Sequence, residues 1–406
     1  MHVTPGVIED SPSTPGFVRS AARVSYSGSS VQPEEYWYEL PAAYASDLAL
    51  NGNPWLAALL PLAASLGEPI EWELPVDRPL VEGAREILRV WHSWYGNTAV
   101  VPLRGPVVEV PPRALADRAA AFLSCGVDSF FTALDHGNGE ARDERGSIDE
   151  FLFVEGFDLG LAETEVCERR RRFIEEAAAE LNTPLVVVRT NLLETLWGKR
   201  VNWDLWGHGA ALASVALALE GRYRQVLIPA SNMYLHLVPW GSHPLTDALF
   251  SSWSVRVRDD GAAHDRADKV RAIATSAIAL RHLRVCYQLA CQGRNCGHCA
   301  KCLLTMLMLD TMVGLSSCPT FPSSLDLAQV RALEVQTSWD RRHLRRLRDH
   351  ATPADRQDVV KTIDRLLRNP TLPRRLFRAA RRIARQALAE RMAGLRAAAA
   401  QGRPRV

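Results

Sequence analysis

Two short stretches of this 406-residue sequence contain residue types that could carry out chemistry. The first is S-C-G-V-D-S at residues 124–129, which follows an apolar run. A strand that ends in small residues before a helix presents backbone N–H groups and the positive end of the helix dipole to an anion. Because the Asp128 carboxylate cannot bind an anion directly, its presence here favours a bound Mg²⁺. The stretch therefore predicts a phosphate-binding turn.

The second stretch is R-V-C-Y-Q-L-A-C-Q-G-R-N-C-G-H-C-A-K-C at residues 284–302, which holds five of the eight cysteines. Cys296, Cys299 and Cys302 are separated by two residues each, with Cys286 or Cys291 upstream as a fourth ligand. Four thiolates are the typical ligand set of a closed, structural zinc site. An iron–sulfur cluster uses similar ligands, but we favour zinc. We name residues 284–302 the Cys₄ knuckle.

The sequence around these stretches alternates between strand and helix from residue 116 onward. Short apolar runs predict buried strands, and amphipathic or small-residue runs predict helices. The predicted strands are 118–123, 151–154, 185–190 and 225–230, and the predicted helices are 127–134, 163–181 and 206–221. This alternation indicates an α/β fold with a doubly wound parallel sheet. Ligands bind such sheets at the carboxyl ends of the strands.

Composition predicts three domains. Residues 1–115 are rich in tryptophan and mix strand-like alternation with helical spacing, which predicts an α+β domain. A proline-rich segment at 101–113 closes this block. Residues 116–318 form the predicted α/β domain with the Cys₄ knuckle, and residues 319–406 a basic, helical C-terminal region.

Charge is distributed unevenly along the chain. Residues 341–406 contain 19 Lys and Arg against 5 Asp and Glu, whereas the formal net charge of the whole chain is only +2. Such a basic region favours an anionic partner, RNA or an acidic protein, although ordinary solvated helices would also explain it. We expect no signal peptide and no membrane span, because no basic segment precedes an apolar one and the apolar runs are short. A cytoplasmic protein is the expectation.

The turn and the knuckle together resemble a known family. S-C-G-V-D-S resembles the S-G-G-x-D-S loop of the PP-loop ATP pyrophosphatases, with Cys125 in place of the second glycine. The knuckle, about 170 residues downstream, makes residues 116–318 similar to the 7-cyano-7-deazaguanine synthase family. The resemblance implies an adenine nucleotide alpha hydrolase-like fold and cleavage of ATP between its α and β phosphates. It also implies Cys286, Cys296, Cys299 and Cys302 as the zinc ligands.

The resemblance further implies that the whole turn contacts ATP, through Ser124, Cys125, Gly126, Val127, Asp128 and Ser129. Polar and small residues at the ends of the later strands are expected beside the nucleotide: Gly156, Phe157, Asn191, Ser231 and Asn232. We assign catalytic roles to Asp128, to Ser124 and to His208, whose imidazole could transfer a proton. Each strand-end residue, taken alone, could equally be a helix cap or a turn residue.

The family's substrate-loop signature, G-x-x-x-x-D…Y-P-D, is absent, and residues 229–247 read P-A-S-N-M-Y-L-H-L-V-P-W-G-S-H-P-L-T-D instead. The expected function is an ATP-dependent, AMP-forming ligase that transfers a small-molecule, peptide or protein carboxylate to ammonia or another amine. The product would be an amide or nitrile. One alternative is a PP-loop sulfurtransferase that thiolates RNA or a small molecule through Cys125. Another is a catalytically silent nucleotide-binding module in a defence or biosynthetic complex.

Overall fold

The structure, a computed structural model, describes residues 1–28, 31–112, 116–136, 147–288, 291, 294–333, 338–351 and 356–368. The chain forms two compact units, Met1–Leu325 and Asp326–Val406. The strands are β1 His2–Asp10, β2 Phe17–Ser25, β3 Glu34–Pro41, β4 Ile70–Trp72, β5 Val76–Asp77, β6 Leu103–Arg104, β7 Val107–Val108, β8 Arg118–Phe122, β9 Glu150–Glu155, β10 Leu185–Thr190, β11 Tyr223–Pro229 and β12 Arg256–Asp260.

The α-helices of the first unit are α1 Asn53–Leu66, α2 Arg78–Tyr95, α3 Val127–Asp135, α4 Thr164–Glu180, α5 Leu196–Arg200, α6 His208–Ala218, α7 Pro244–Asp247, α8 Arg266–Ile273, α9 Ala277–His282 and α10 Ala300–Met312. A π-helical turn at Trp203–Gly207 leads into α6. Among the described residues, no helix combines the length and the apolar character needed to cross a membrane.

The first unit is a mixed α/β structure built on a ten-stranded, mostly parallel sheet with the order β12-β11-β8-β9-β10-β3-β2-β1-β4-β6. The five strands from β12 to β10 are all parallel to one another. Four of them match the predicted strands, and they are almost continuously buried, as strands covered on both faces must be. The fifth, β12, was not predicted.

The strand β8 lies between β9 and β11, so the chain leaves β8 towards one neighbour and later returns to the other side of it. The carboxyl ends of β8, β9 and β11 therefore meet at one edge of the sheet. This edge carries the turn at 124–129, which links β8 to α3. A crevice at such a reversal of strand order is the usual ligand position in open α/β sheets.

The N-terminal block, expected to be a separate domain ending at residue 115, extends this same sheet. Strand β3 pairs antiparallel with β10, with Glu39 opposite Arg189. Glu39 is fully buried at this junction, and its carboxylate lies 2.6 Å from Arg19 and 2.7 Å from Arg189. Removing one partner from such a buried ion pair destabilises a fold by about 3–5 kcal/mol. Helix α1 of the same block packs against α6.

The second unit contains α11 Leu327–Arg331, α12 Ser338–Ala351 and α13 Gln357–Arg368. Leu344 and Leu347 of α12 are buried, as are Val359, Ile363 and Leu366 of α13. Their spacing of three and four residues places them on one face of each helix. These helices agree with the helical character predicted for this part of the chain. Residues 369–406, which hold much of the predicted basic region, lie outside the described residues.

Candidate functional site

The turn at 124–129 is closed by the hydroxyl of Ser129. Its Oγ accepts hydrogen bonds from the backbone N–H groups of Ser124, at 3.2 Å, and Gly126, at 3.1 Å. Because these contacts lie within the turn and Ser129 is buried, its side chain shapes the loop. Ser124, which the sequence analysis expects to contact ATP, is exposed. Its hydroxyl oxygen lies 3.3 Å from that of Ser129.

Cys125 adopts the left-handed backbone conformation, with a φ of 55°. This region costs about 1–2 kcal/mol for a residue with a Cβ and is readily adopted by glycine. The Cys125 side chain is fully buried, and burial raises its pKa to about 12 although the charges of Arg170 and Arg284 act in the opposite direction. The thiol is therefore neutral and shielded from solvent.

Asp128, in the first turn of α3, is the charged residue of the loop. Its Oδ2 lies 3.3 Å from Nη1 of Arg266, and its Oδ1 lies 3.3 Å from Nζ of Lys269. Burial acts to raise the pKa of Asp128, but Lys269 and Arg266 outweigh it and hold the pKa below its ordinary value. The carboxylate is therefore ionised, and about a quarter of the side chain remains exposed.

Lys269 is almost completely buried, and its ammonium also donates to the carbonyl oxygen of Ala230 at the end of β11. Lys269 therefore connects α8 with the turn and with the carboxyl end of β11. Neither Lys269 nor Arg266 was predicted from the sequence. Both residues follow β12, whose sequence R-V-R-D-D at 256–260 has a single apolar residue and therefore gives little strand signal.

Two of the predicted strand-end residues border the junction of β9 and β10. Gly156 has a φ of 101°, and a Cβ built there would lie 2.1 Å from the Thr190 carbonyl oxygen, so only glycine fits. The ring of Phe157 packs on Trp203 with 5.1 Å between ring centroids. Both residues follow β9 at the same edge of the sheet as the turn.

The remaining strand-end residues differ in their surroundings. Asn191 binds strand β3 with both ends of its amide, since Oδ1 accepts from Trp37 N and Nδ2 donates to Glu35 O. Both polar ends of the Asn191 side chain are therefore used to hold β3 beside β10. Ser231 and Asn232 directly follow Ala230, whose carbonyl binds Lys269, and therefore lie along the chain beside the Asp128 ion pairs.

His208 is the first residue of α6, and its Nδ1 lies 2.9 Å from the carbonyl oxygen of Trp203. This contact assigns the proton to Nδ1 and leaves Nε2 as an acceptor. Burial lowers the pKa of His208, so the imidazole is neutral near pH 7. The charge of Lys301, in α10, makes a smaller contribution that lowers the pKa of both His208 and Asp128.

Strand β12 ends in two adjacent residues with carboxyl groups, Asp259 and Asp260. Asp260 binds Thr132 Oγ1 at 2.9 Å and His136 Nε2 at 3.0 Å. Asp259 is buried, and its Oδ1 has no hydrogen-bond partner among the described residues. Burial, and then the charge of Asp247, raise the pKa of Asp259 to about 8. This carboxyl group is largely protonated at pH 7.

The Cys₄ knuckle brings four sulfur atoms together, all within 4.8 Å of one another: Cys286, Cys296, Cys299 and Cys302. The Sγ atoms of Cys286 and Cys299 are 3.9 Å apart, and those of Cys296 and Cys302 are 3.7 Å apart. Zinc–sulfur bonds of about 2.3 Å in a tetrahedron place sulfur atoms roughly 3.8 Å apart. The donor set and spacing therefore fit a metal ion such as zinc.

Local geometry supports the same assignment. Backbone N–H groups of His298, at 3.4 Å, and Cys299, at 3.2 Å, point at the sulfur of Cys296. Against the effect of burial, these contacts lower the pKa of Cys296 to about 6 and favour the thiolate that a metal requires. Cys291, the alternative fourth ligand, is not in the sulfur cluster.

Comparisons of the chain with protein-family models, with curated proteins and with solved structures found no match.

Proposed function

We propose that this chain is an ATP-dependent, AMP-forming ligase of the PP-loop ATP pyrophosphatase type. In the first step a carboxylate oxygen of the substrate bonds to the α-phosphorus of ATP, and the bond from that phosphorus to the bridging oxygen breaks. Pyrophosphate leaves with the electron pair. In the second step an amine attacks the acyl carbon, AMP leaves, and the nitrogen gives up a proton.

The observation that carries this proposal is the position of the turn at 124–129. It lies at the carboxyl end of β8, its backbone is left-handed at Cys125, and α8 supplies Lys269 and Arg266 beside it. A left-handed residue within a turn helps successive N–H groups converge on an anion. Cationic groups fixed there stabilise the charge that develops on departing pyrophosphate. Cys125 therefore preserves the backbone conformation expected of a glycine.

Asp128 is the residue that would hold Mg²⁺. Magnesium in nucleotide sites is bound by one or two carboxylates and by the phosphates of the substrate, and Asp128 is ionised and partly exposed. When bound, the ion would supply charge that offsets the phosphates. The four knuckle cysteines would hold zinc in a structural role, because all four positions of a tetrahedral ion are filled by protein.

His208 has the properties needed to accept the proton released by the amine. It is neutral near pH 7, and its Nδ1 contact with Trp203 leaves Nε2 as the basic atom. A neutral imidazole accepts a proton in this pH range. The substrate is a carboxylate on a small molecule, a peptide or a protein, and the amine is ammonia or a primary amine.

The sulfur-transfer alternative is not supported at the turn. Thiol chemistry needs an accessible thiolate, whereas the Cys125 thiol is fully buried and its pKa is raised to about 12. The adenylation reaction does not require a reactive thiol at this position. We therefore carry only the ligase forward as the proposed activity.

The test is product analysis with ATP labelled at the α-phosphate, Mg²⁺ and a panel of carboxylates with ammonia. We expect labelled AMP and free pyrophosphate, and a loss of at least about 100-fold in Asp128→Asn. Asp268→Asn, an equivalent change in the exposed ion pair with Arg271, is the matched control and should retain activity. Labelled ADP as the product, or full activity in Asp128→Asn, would refute the proposal. Binding of ATP without AMP formation from any carboxylate would indicate a silent nucleotide-binding module.

A further inference from the structure

A cavity of about 790 Å³ opens between α4 and residues 283–284, 294–295 and 319–320. Its lining includes five arginines and three glutamates, so its charge is positive. Two of the arginines, Arg170 and Arg284, are buried next to the backbone of the turn. Neither was singled out by the sequence analysis.

Arg170 of α4 is only 3% exposed. Its Nη2 donates to the carbonyl oxygen of Ser124, which anchors the guanidinium to the turn. Its Nε and Nη1 have no hydrogen-bond partner within the described part of the chain, although both are buried. A buried donor without an acceptor costs about 1–3 kcal/mol, and more when it is charged. Support of the turn needs only one nitrogen, so it does not explain the other two.

Arg284 shows the same pattern from the opposite side of the cavity. Its side chain is 9% exposed, and its Nε also lacks a partner among the described residues. The side chain has one ion-pair contact in the described structure, 3.4 Å from Nη1 to Asp158, which is about half exposed. Its backbone N–H donates to the carbonyl oxygen of Cys125 at 2.8 Å. Both residues therefore contact the turn, line the cavity and keep buried donors that have no partner among the described residues.

The two guanidinium groups are close enough to influence each other. Burial, and then the charge of Arg284, lower the pKa of Arg170 to about 10, so Arg170 remains charged at pH 7. Asp158 supplies one loosely held negative charge against these two positive charges. On the rim, Glu168 is engaged by Arg172 at 3.6 Å. Arg170 and Arg284 therefore carry one positive charge in excess of the carboxylate of Asp158.

We propose that Arg170 and Arg284 form a binding site for the phosphate group of a phosphorylated ligand, whose remaining part occupies the cavity. A dianionic phosphate offers several acceptor oxygens and matches both charges, and guanidinium groups bind phosphate through paired N–H donors. The cavity is far larger than an inorganic phosphate, so the ligand is a phosphate ester or a nucleotide. The inference does not depend on AMP formation, because it concerns binding alone.

The experiment is calorimetric titration of the full, zinc-loaded chain with inorganic phosphate and with pyrophosphate, without Mg²⁺. We expect saturable binding that weakens at least tenfold in Arg284→Gln and in Arg170→Lys, which keeps its charge but loses the fork of donors. Arg89→Gln, which removes an arginine from the exposed ion pair with Glu86, should bind like the wild type. Asp158→Asn should bind several-fold more tightly, since it removes the carboxylate that competes with phosphate for Arg284.

Absence of saturable binding to the wild type would overturn the inference, and so would equal affinities in Arg284→Gln and wild type. Arg284→Gln keeps the result decisive if Arg170→Lys loosens the turn, because Arg284 donates to the turn through its backbone N–H, which the substitution leaves in place. Competition distinguishes two sources of the phosphate, and either outcome supports the site. Displacement of phosphate by ATP assigns the site to the nucleotide, and simultaneous binding assigns it to a second phosphorylated ligand.

The ligase proposal and this inference fail separately. A protein that binds phosphate through Arg284 and forms no AMP would refute only the ligase. A protein that forms AMP and binds phosphate equally well with Gln at position 284 would refute only the phosphate site.

Discussion

The ammonium group of Lys269 lies 3.3 Å from Oδ1 of Asp128, across 141 residues of sequence. The contact joins the first turn of α3 to α8, which follows the edge strand β12. Lys269 is 1% exposed, so it depends on this carboxylate and on the Ala230 carbonyl to offset its charge. The pair therefore contributes to stability as well as to the candidate site.

Replacing Asp128 with Asn should lower the free energy of unfolding at pH 7 by about 1–3 kcal/mol, because it leaves the buried donor of Lys269 without its carboxylate. The pKa of Asp128 is lowered in the folded state, so its stabilising contribution is present above the unfolded pKa of about 3.9 and is lost as the pH falls further. The difference between wild type and variant should accordingly shrink in acid. Urea unfolding from pH 3 to pH 7 measures this.

The matched control is Glu86→Gln, which removes a carboxylate from the exposed pair with Arg89. Exposed pairs contribute about 0–1 kcal/mol. Equal effects of the two substitutions at pH 7 would contradict the burial argument for Lys269.

Substitution of one knuckle cysteine should release the metal. We expect about one zinc ion per chain by elemental analysis, and loss of most of it in Cys302→Ser, with a lower melting temperature. Cys291→Ser should retain both metal and stability, since Cys291 is outside the sulfur cluster. Loss of zinc in Cys291→Ser with retention in Cys286→Ser would reverse the ligand assignment.

The left-handed backbone of Cys125 predicts an inverted preference between glycine and alanine. Alanine is normally the more stable residue by about 0.4–1 kcal/mol because glycine gains entropy on unfolding. At a φ of 55° the Cβ carries a cost of about 1–2 kcal/mol, so Cys125→Gly should equal or exceed Cys125→Ala in stability. Chemical denaturation of both variants measures the sign.

Cys167 is the control for that comparison, because it is buried within α4, where the backbone is right-handed. There the alanine variant should exceed the glycine variant by about 1 kcal/mol. The same order at both positions would show that the Cys125 backbone is not strained.

Asp259 should make the protein less stable as the pH rises. Its folded pKa is raised to about 8, so between the unfolded value of about 3.9 and pH 8 the folded state holds a proton that the unfolded state has released. Asp259→Asn should therefore be more stable than wild type at pH 9, on the order of 2 kcal/mol, with a flatter pH profile. Thermal unfolding from pH 5 to pH 9 measures the slope.

Asp268→Asn, which alters a partly exposed carboxylate in α8, should keep the wild-type slope. Some decline should remain in Asp259→Asn, because burial also raises the pKa of Asp247 to about 7. An unchanged profile in the variant would show that Asp259 is ionised in the fold.

Local patterns in the sequence were sufficient to predict four parallel strands and three of the four members of the cysteine cluster. Apolar runs such as L-V-V-V-R-T at 185–190 identify a buried strand because both faces of a central strand are covered. The spacing of Cys296, Cys299 and Cys302 restricts three sulfurs to a short segment, whatever surrounds it. The short strand β12 was missed because its two arginines and two aspartates obscure the apolar signal.

The tertiary structure decided which distant residues meet. It selects Cys286 over Cys291, continues the N-terminal strands into the central sheet through β3 and β10, and places Lys269 beside Asp128. These outcomes depend on the order of strands and on helix crossovers, which no short window of sequence contains. The turn at 124–129 depends both on local sequence and on tertiary structure. Its residues predict an anion site, and only the fold supplies the buried cations of α4, α8 and the knuckle that give it charge.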